Sequence, residues 1–225
     1  MQRDLILTKD GSHTISVPGM DVTYHSIHGA IQESLHVFIE AGFHYLHPKG
    51  PLAIFEMGFG TGLNALLTLI EAERIQQPVL YTTIELFPLD IEQVRSLNYC
   101  NQLNRPELQP VFEQLHTCEW EKEVAITDYF TLKKSKTSLL IILPEPLYHL
   151  IYFDAFAPAA QPELWTIEAF EKLYALLQPK GILVTYCSKS AVRRNMQAAG
   201  FSVEKIPGPP GKREMVRAVR VPDIP

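Results

Sequence analysis

Glycines stand at alternate positions 58, 60 and 62, with Glu56 two residues before the first and Asn64 two after the last. An apolar run, Leu52-Ala53-Ile54-Phe55, leads in, and 64–75 reads as a helix beyond. A glycine turn between strand and helix lets backbone approach a ligand where any Cβ would clash, while helix N–H groups meet its polar end. The G-x-G-x-G spacing departs from the G-x-G-x-x-G of dinucleotide sites. The same turn occurs in α/β domains that bind nothing, so the other strand ends decide. Glu85 closes the run 79–85, where a carboxylate can accept from two vicinal ribose hydroxyls. Glu56 can receive a cationic group of a ligand, directly or through water, or cap the glycine turn. Asp154 follows Ile151-Tyr152-Phe153 and precedes Ala155-Phe156-Ala157-Pro158, so it emerges from a sheet into a walled pocket. There it can contact a substrate and take or relay a proton.

These residues need a sheet to gather them. Strands are expected at 52–56, 79–85, 129–136, 148–153, 181–187, 201–205 and 215–219. Helices are expected at 64–75, from Pro88 to about 97, at 107–118, at 166–177 with Thr166 as N-cap, and at 191–199 closed by Gly200. Their alternation predicts an α/β fold with a doubly wound, Rossmann-like sheet, and two final strands without a helix between them predict an antiparallel last strand. Ligands in such sheets sit at the carboxyl ends of strands, where Glu56, Glu85 and Asp154 fall. Ahead of this core, 49–225, residues 1–48 read as a small extension. It comprises a hairpin turning at Asp10-Gly11 and a helix from Gly29 to about His44 with Ile31, Leu35, Phe38 and Ile39 on one face.

The 225 residues are 46% hydrophobic, enough for one buried core. No basic-then-apolar leader opens the chain and no run approaches the roughly 18 apolar residues of a membrane span. A soluble cytoplasmic protein without a membrane partner is expected. Cys100, Cys118 and Cys187 are too scattered for a disulfide framework or a Cys-x-x-Cys site, and His25-x-x-His28 and His44-x-x-His47 lack the cysteines of a tetrahedral set, so no metal is expected. The formal charge of -5 is uneven: from Lys180 onward nine Lys and Arg face three Asp and Glu. Such asymmetry steers a polyanion to one face, although a solvated surface is the commoner source of it.

The loop from Glu56 to Asn64 resembles the first motif of class I S-adenosylmethionine-dependent methyltransferases. Over nearly the whole chain, Tyr24-His25-Ser26, Gly29-Ala30 with Glu33-Ser34, Glu85 to Leu89, Phe153 to Pro158, Pro162 to Thr166, Val192-Arg193-Arg194 and Gly211 to Met215 are similar to the methyltransferase domain of MnmC-type enzymes. The F-D-A-F-A-P and G-K-R-E-M segments make that resemblance specific. It implies S-adenosylmethionine as cofactor and methyl transfer to the aminomethyl group of 5-aminomethyl-2-thiouridine at the tRNA wobble position, giving 5-methylaminomethyl-2-thiouridine. It implies a stand-alone, MnmD-like form, because neither the length nor a second glycine fingerprint accommodates the flavin-dependent oxidoreductase domain of bifunctional members. The substrate then comes directly from the enzymes that install aminomethyl on the wobble uridine.

Carried onto this chain, the resemblance implies cofactor contacts from Glu56, Gly58, Gly60, Gly62, Asn64, Glu85, Ser138 and Asp154. Ser138 stands where related enzymes usually offer an acidic residue to the adenine amino group, and a hydroxyl accepts more weakly. Asp154 is the catalytic candidate: an amine acceptor needs a neutral lone pair, and an alkylammonium is mostly protonated at neutral pH. Phe59, Phe156 and Trp165 are expected to line a dry pocket. Tyr24 and His25 on one side and Lys212 and Arg213 on the other are implied to flank the acceptor. Arg193, Arg194, Lys212 and Arg213 then offer charge to phosphates, and Tyr24 or Phe156 a face for an unpaired anticodon base. Two other classes compete. A polyamine aminopropyltransferase shares the fold, the amine nucleophile and the strand-end aspartate, but has no need of the basic C-terminal region. A non-catalytic RNA-binding module on the same fold has no need of Gly58, Gly60, Gly62, Glu85 and Asp154 together.

Overall fold

The computed structural model describes residues 2–142 and 148–222. Strands β1 (Asp4–Leu7), β2 (His13–Val17) and β3 (Val22–Thr23) pair antiparallel as a small separate sheet. Helix α1 (Ala30–Ser34) follows and runs into a π-helical turn, Leu35–Glu40. The main sheet is built from β4 (Leu52–Met57), β5 (Val79–Ile84), β6 (Glu123–Thr127), β7 (Phe130–Ser135), β8 (Tyr148–Phe153), β9 (Leu177–Thr185), β10 (Phe201–Pro207) and β11 (Glu214–Arg220). Helices α2 (Leu63–Ile75), α3 (Ile91–Ser96), α4 (Tyr99–Gln102), α5 (Gln109–Thr117), α6 (Ile167–Leu176) and α7 (Ser190–Ala198) connect its strands.

The order β10-β11-β9-β8-β4-β5-β7-β6 carries the functional information. From β4 the chain steps outward through β5 to β7, then returns to the other side of β4 for β8 and β9, all parallel. The winding therefore reverses between β4 and β8, and a ligand crevice forms at their carboxyl ends. The β10–β11 hairpin closes one edge antiparallel, as the helix-free end of the sequence predicts. Both faces of the sheet are covered, so its central strands read as apolar runs. On one face Leu52, Ile54, Tyr81 and Tyr152 pack under α2 and the π-helical turn. On the other Phe55, Ile151, Phe153 and Leu183 pack under α6 and α7.

Local chemistry explains the ends. Thr166 caps α6 by accepting from the Ala169 N–H at 3.2 Å, and Asp90 with Gln93 makes a capping box at α3. Several elements differ from expectation. The helix expected over 29–44 is broken by the wider turn, in which the Ala41 N–H donates back to His36. The reason lies at Gly42, where a Cβ would meet the Phe38 carbonyl oxygen at 2.6 Å and Val184 at 3.1 Å, so the chain ends its helix pressed onto the sheet. Strands β3 and β6 and the short α4 were not expected; β6 is a half-exposed edge strand against β7, with a register shift. Strand β9 begins at Leu177, where α6 ends, four residues earlier than expected. Among the described residues no helix is long and apolar enough to cross a membrane.

Candidate active site

The loop between β4 and α2 is shaped by its glycines. Gly60 has φ +52° and Gly62 φ +74°, a region that L side chains rarely adopt. A Cβ on Gly60 would lie 2.9 Å from the Tyr24 ring, and one on Gly62 would lie 2.6 Å from His116 Nε2. Tyr24 is thus laid across the loop from the N-terminal sheet while His116 supports it from α5. Glu85, at the end of β5, accepts from the Gly60 N–H at 3.0 Å through Oε2 and from the Phe87 N–H at 2.8 Å through Oε1. A carboxylate oxygen accepts more than one hydrogen bond, so Glu85 keeps acceptor capacity toward the cleft.

Asp154, at the end of β8, faces this loop. Its Oδ2 accepts from Asn64 Nδ2 at 2.9 Å, and its backbone N–H bonds to Met57. Burial pushes its carboxyl up to about 7; the Asn64 bond opposes that rise, the nearby Glu33 charge adds to it and Lys212 lowers it. Behind the loop Glu56 is wholly buried, in register with Thr83 on β5 and Tyr152 on β8. Burial lifts its carboxyl well above the usual carboxylate range.

Two adjoining hollows open at this point. Gly58, Gly60, Asn64, Glu85 and Ser138 line the first together with Phe59, Leu86, Phe87, Thr137 and Gln161. Asp21, Glu33, Ala157, Tyr186 and Lys212 line the second. Tyr24, His25, Asp154 and Phe156 belong to both and form the partition. The Tyr24 and Phe156 rings meet edge to face with centroids 5.1 Å apart. The first hollow suits S-adenosylmethionine: a glycine backbone without Cβ atoms, a strand-end carboxylate with acceptor capacity, and a serine hydroxyl.

The structure therefore gathers Gly58, Gly60, Asn64, Glu85, Ser138, Asp154, Tyr24, His25, Phe156 and Lys212 around one crevice. It does not bring in the others. Glu56 and Gly62 line neither hollow; Glu56 is wholly buried beneath the loop, beside Thr83, Asn64 and Tyr81. Trp165 is buried behind Phe156, donating from Nε1 to its carbonyl at 2.8 Å, and so braces the wall that it was expected to line. Arg193 turns back on Ser188 and Ser190, while Arg194 and Arg213 are exposed outside the crevice. His25 is buried and pushed down to about 4 by that burial, hence neutral at pH 7. Lys212 is not free for a phosphate, because it donates to Glu33 at 2.6 Å.

Sequence reasoning gave no role to Glu33, Tyr186 or Gln161. Gln161 has a local signal: its Oε1 accepts from the Phe156 N–H at 2.9 Å and closes the F-A-P-A-A-Q loop. Glu33 has none, since its partner Lys212 lies 179 residues away.

The family described as S-adenosyl-L-methionine-dependent methyltransferase matches residues 107–221, just over half of the chain. Among curated relatives, the tRNA 5-methylaminomethyl-2-thiouridine biosynthesis bifunctional protein MnmC of Chromobacterium violaceum is 34% identical over 93% of this chain and 33% of its own length. The protein of that name from Pseudomonas entomophila is 32% identical over 88% of this chain and 32% of its own length. The chain thus spans about a third of the length of the curated relatives it matches. Among solved structures, MNMC2 from Aquifex aeolicus superposes with a TM-score of 0.79 at 23% identity, covering 100% of this chain and 72% of that one. Spermidine synthase from Thermotoga maritima superposes with a TM-score of 0.55 at 12% identity, covering 98% and 70%. Both share the fold. By the family match and by the crevice its own residues build, this chain belongs to the S-adenosyl-L-methionine-dependent methyltransferases.

Proposed function

We propose that this chain methylates the aminomethyl nitrogen of 5-aminomethyl-2-thiouridine at the wobble position of tRNA, producing 5-methylaminomethyl-2-thiouridine. The observation that carries the reading is the Asp154 carboxyl, raised to about 7 and held by Asn64 where the two hollows meet. Support for the substrate comes from relatives named for 5-methylaminomethyl-2-thiouridine biosynthesis in tRNA, which match the chain nearly end to end.

When bound, S-adenosylmethionine supplies a methyl group on a positively charged sulfur. The chain's residues do the rest. Glu85 takes the ribose hydroxyls and Ser138 the adenine edge, so the first hollow holds the cofactor and the second the acceptor. Tyr24 and Phe156 wall the partition and exclude water, and Asp154 orients the acceptor nitrogen. A carboxyl that ionises near neutral pH can take a proton from an alkylammonium and leave a lone pair for in-line attack. Residues 1–48, which bring Tyr24 and His25 to the crevice, act as a substrate-side extension of the core 49–225. The reading places the protein in the cytoplasm, acting on the anticodon region after the enzymes that install aminomethyl.

The test is nucleoside mass spectrometry after mixing the protein, S-adenosylmethionine and tRNA that carries 5-aminomethyl-2-thiouridine. A gain of one methylene on that nucleoside is the expected outcome. No gain, despite cofactor binding by calorimetry, would move the acceptor to another amine; aminopropyl transfer from the decarboxylated cofactor would replace the reading altogether.

A further inference from the structure

The second hollow contains a charged pair that methyl transfer as described does not use. Lys212 Nζ donates to Glu33 Oε1 at 2.6 Å, and Glu33 Oε2 accepts from the Ser26 N–H at 2.8 Å. The ammonium also sits 4.0 Å from the centroid of the Tyr186 ring, whose hydroxyl donates to the Ala155 carbonyl at 2.9 Å. Glu33 is poorly solvated, its side chain being 10% exposed, while Lys212 is half-buried at 33%. A pair that merely tied the β10–β11 loop to α1 would serve as well on the outer surface. This one stands in the wall onto which Asp154 opens.

Charges sharing a poorly solvated hollow act on each other strongly: a carboxylate disfavours ionisation of a neighbouring carboxyl, and an ammonium favours it. Resting on the reading of Asp154 as the group that takes a proton from an acceptor amine, we propose that Glu33 and Lys212 are positioning residues of that reaction, an opposed charge pair that sets the pH range over which Asp154 is ionised. Other titratable groups face Asp154 as well. Burial raises the hydroxyls of Tyr24, Tyr81, Tyr99 and Tyr186, keeping them neutral, and raises Glu56 beneath the loop. His25 is neutral at pH 7, Asp21 is exposed at the rim, and Glu85 lies across the first hollow on two backbone amides. Glu33 and Lys212 remain as the charges in the acceptor wall whose effects on Asp154 oppose one another.

The experiment follows the side-chain carboxyl of Asp154 by carbon-13 NMR in the full chain labelled at aspartate, with the signal assigned by its loss in Asp154→Asn. Glu33→Gln is expected to lower the titration midpoint and Lys212→Met to raise it, each by roughly half a pH unit or more. Lys212→Arg, which keeps the charge, is expected to hold the midpoint. The acid limb of kcat/KM for methyl transfer should move in the same order. Midpoints that stay put, or that move the same way in both neutralising variants, would overturn the inference and leave the pair as a tether. If Glu33→Gln does not fold, the contrast between Lys212→Met and Lys212→Arg decides on the same criterion. Opposite midpoint shifts in a protein that fails to methylate the tRNA would sustain the charge pair and reject the substrate.

Discussion

At Asp154 stability and activity pull in opposite directions. Its carboxyl is raised from 3.8 to about 7 in the folded chain, so the native state binds the proton more tightly than the unfolded chain does. The stabilisation from that proton is complete below the unfolded value and is lost as pH rises through the folded one. Asn at this position keeps an acceptor oxygen for the Asn64 amide without ever carrying the charge. Asp154→Asn is therefore expected to be more stable than the parent, with the gap widening from about pH 4 to 7 and reaching about 1 to 4 kcal/mol at pH 8. Denaturant melts at several pH values measure this, and a gap independent of pH would contradict it. The same substitution should leave cofactor affinity within a few-fold while lowering turnover by about 100-fold or more, the usual scale for a positioned acid-base group. Equal turnover would remove Asp154 from the mechanism.

The cofactor loop works as one element, because its backbone conformation places both the amides and the Tyr24 ring. Gly60→Ala would add a methyl 2.9 Å from that ring at φ +52°. It should displace Tyr24 and weaken S-adenosylmethionine binding by about tenfold or more, at a stability cost of about 1 to 2 kcal/mol. Calorimetry on the folded variant tests this, and parental affinity would show that the ligand does not depend on the loop. Elements of this kind were legible in the sequence, because a glycine turn between a buried strand and a helix is a local pattern. So were β4, β8 and the closing hairpin, whose apolar runs and missing crossover helix leave few alternatives. Elements whose form depends on distant neighbours were not. The π-helical turn answers to the packing of Gly42 against Val184 and Tyr152, and β6 is an edge strand that exists by pairing with β7. Within the site the strand-end carboxylates Glu85 and Asp154 could be found from position alone. The inward turn of Glu56 and the union of Glu33 with Lys212 could not, since each is decided by which face or which distant loop the fold presents.

Across the whole molecule the basic excess after Lys180 is largely spent within the fold. Lys205 pairs with Glu214, Arg217 with Glu204 and Lys212 with Glu33, while Arg220 lies over Tyr174 and Arg193 bonds to Ser188. Lys189, Arg194 and Arg213 are left exposed near the carboxyl ends of the strands, Lys189 and Arg194 at α7 and Arg213 in the β10–β11 loop, and α7 packs against β10. Lys180 is exposed too, but near the start of β9, at the opposite end of the sheet. An acidic protein binds a polyanion through such a local patch, and each phosphate neutralised there releases counterions. Replacing Lys189, Arg194 and Arg213 together with glutamine should therefore weaken tRNA binding and lower the slope of log K against log salt by about 2 to 3, roughly one for each phosphate no longer neutralised. Lys180→Gln should leave the slope unchanged. A salt titration of tRNA affinity separates the cases: an unchanged slope in the triple variant, or an equal fall with Lys180→Gln, would mean that the RNA approaches the sheet from another side.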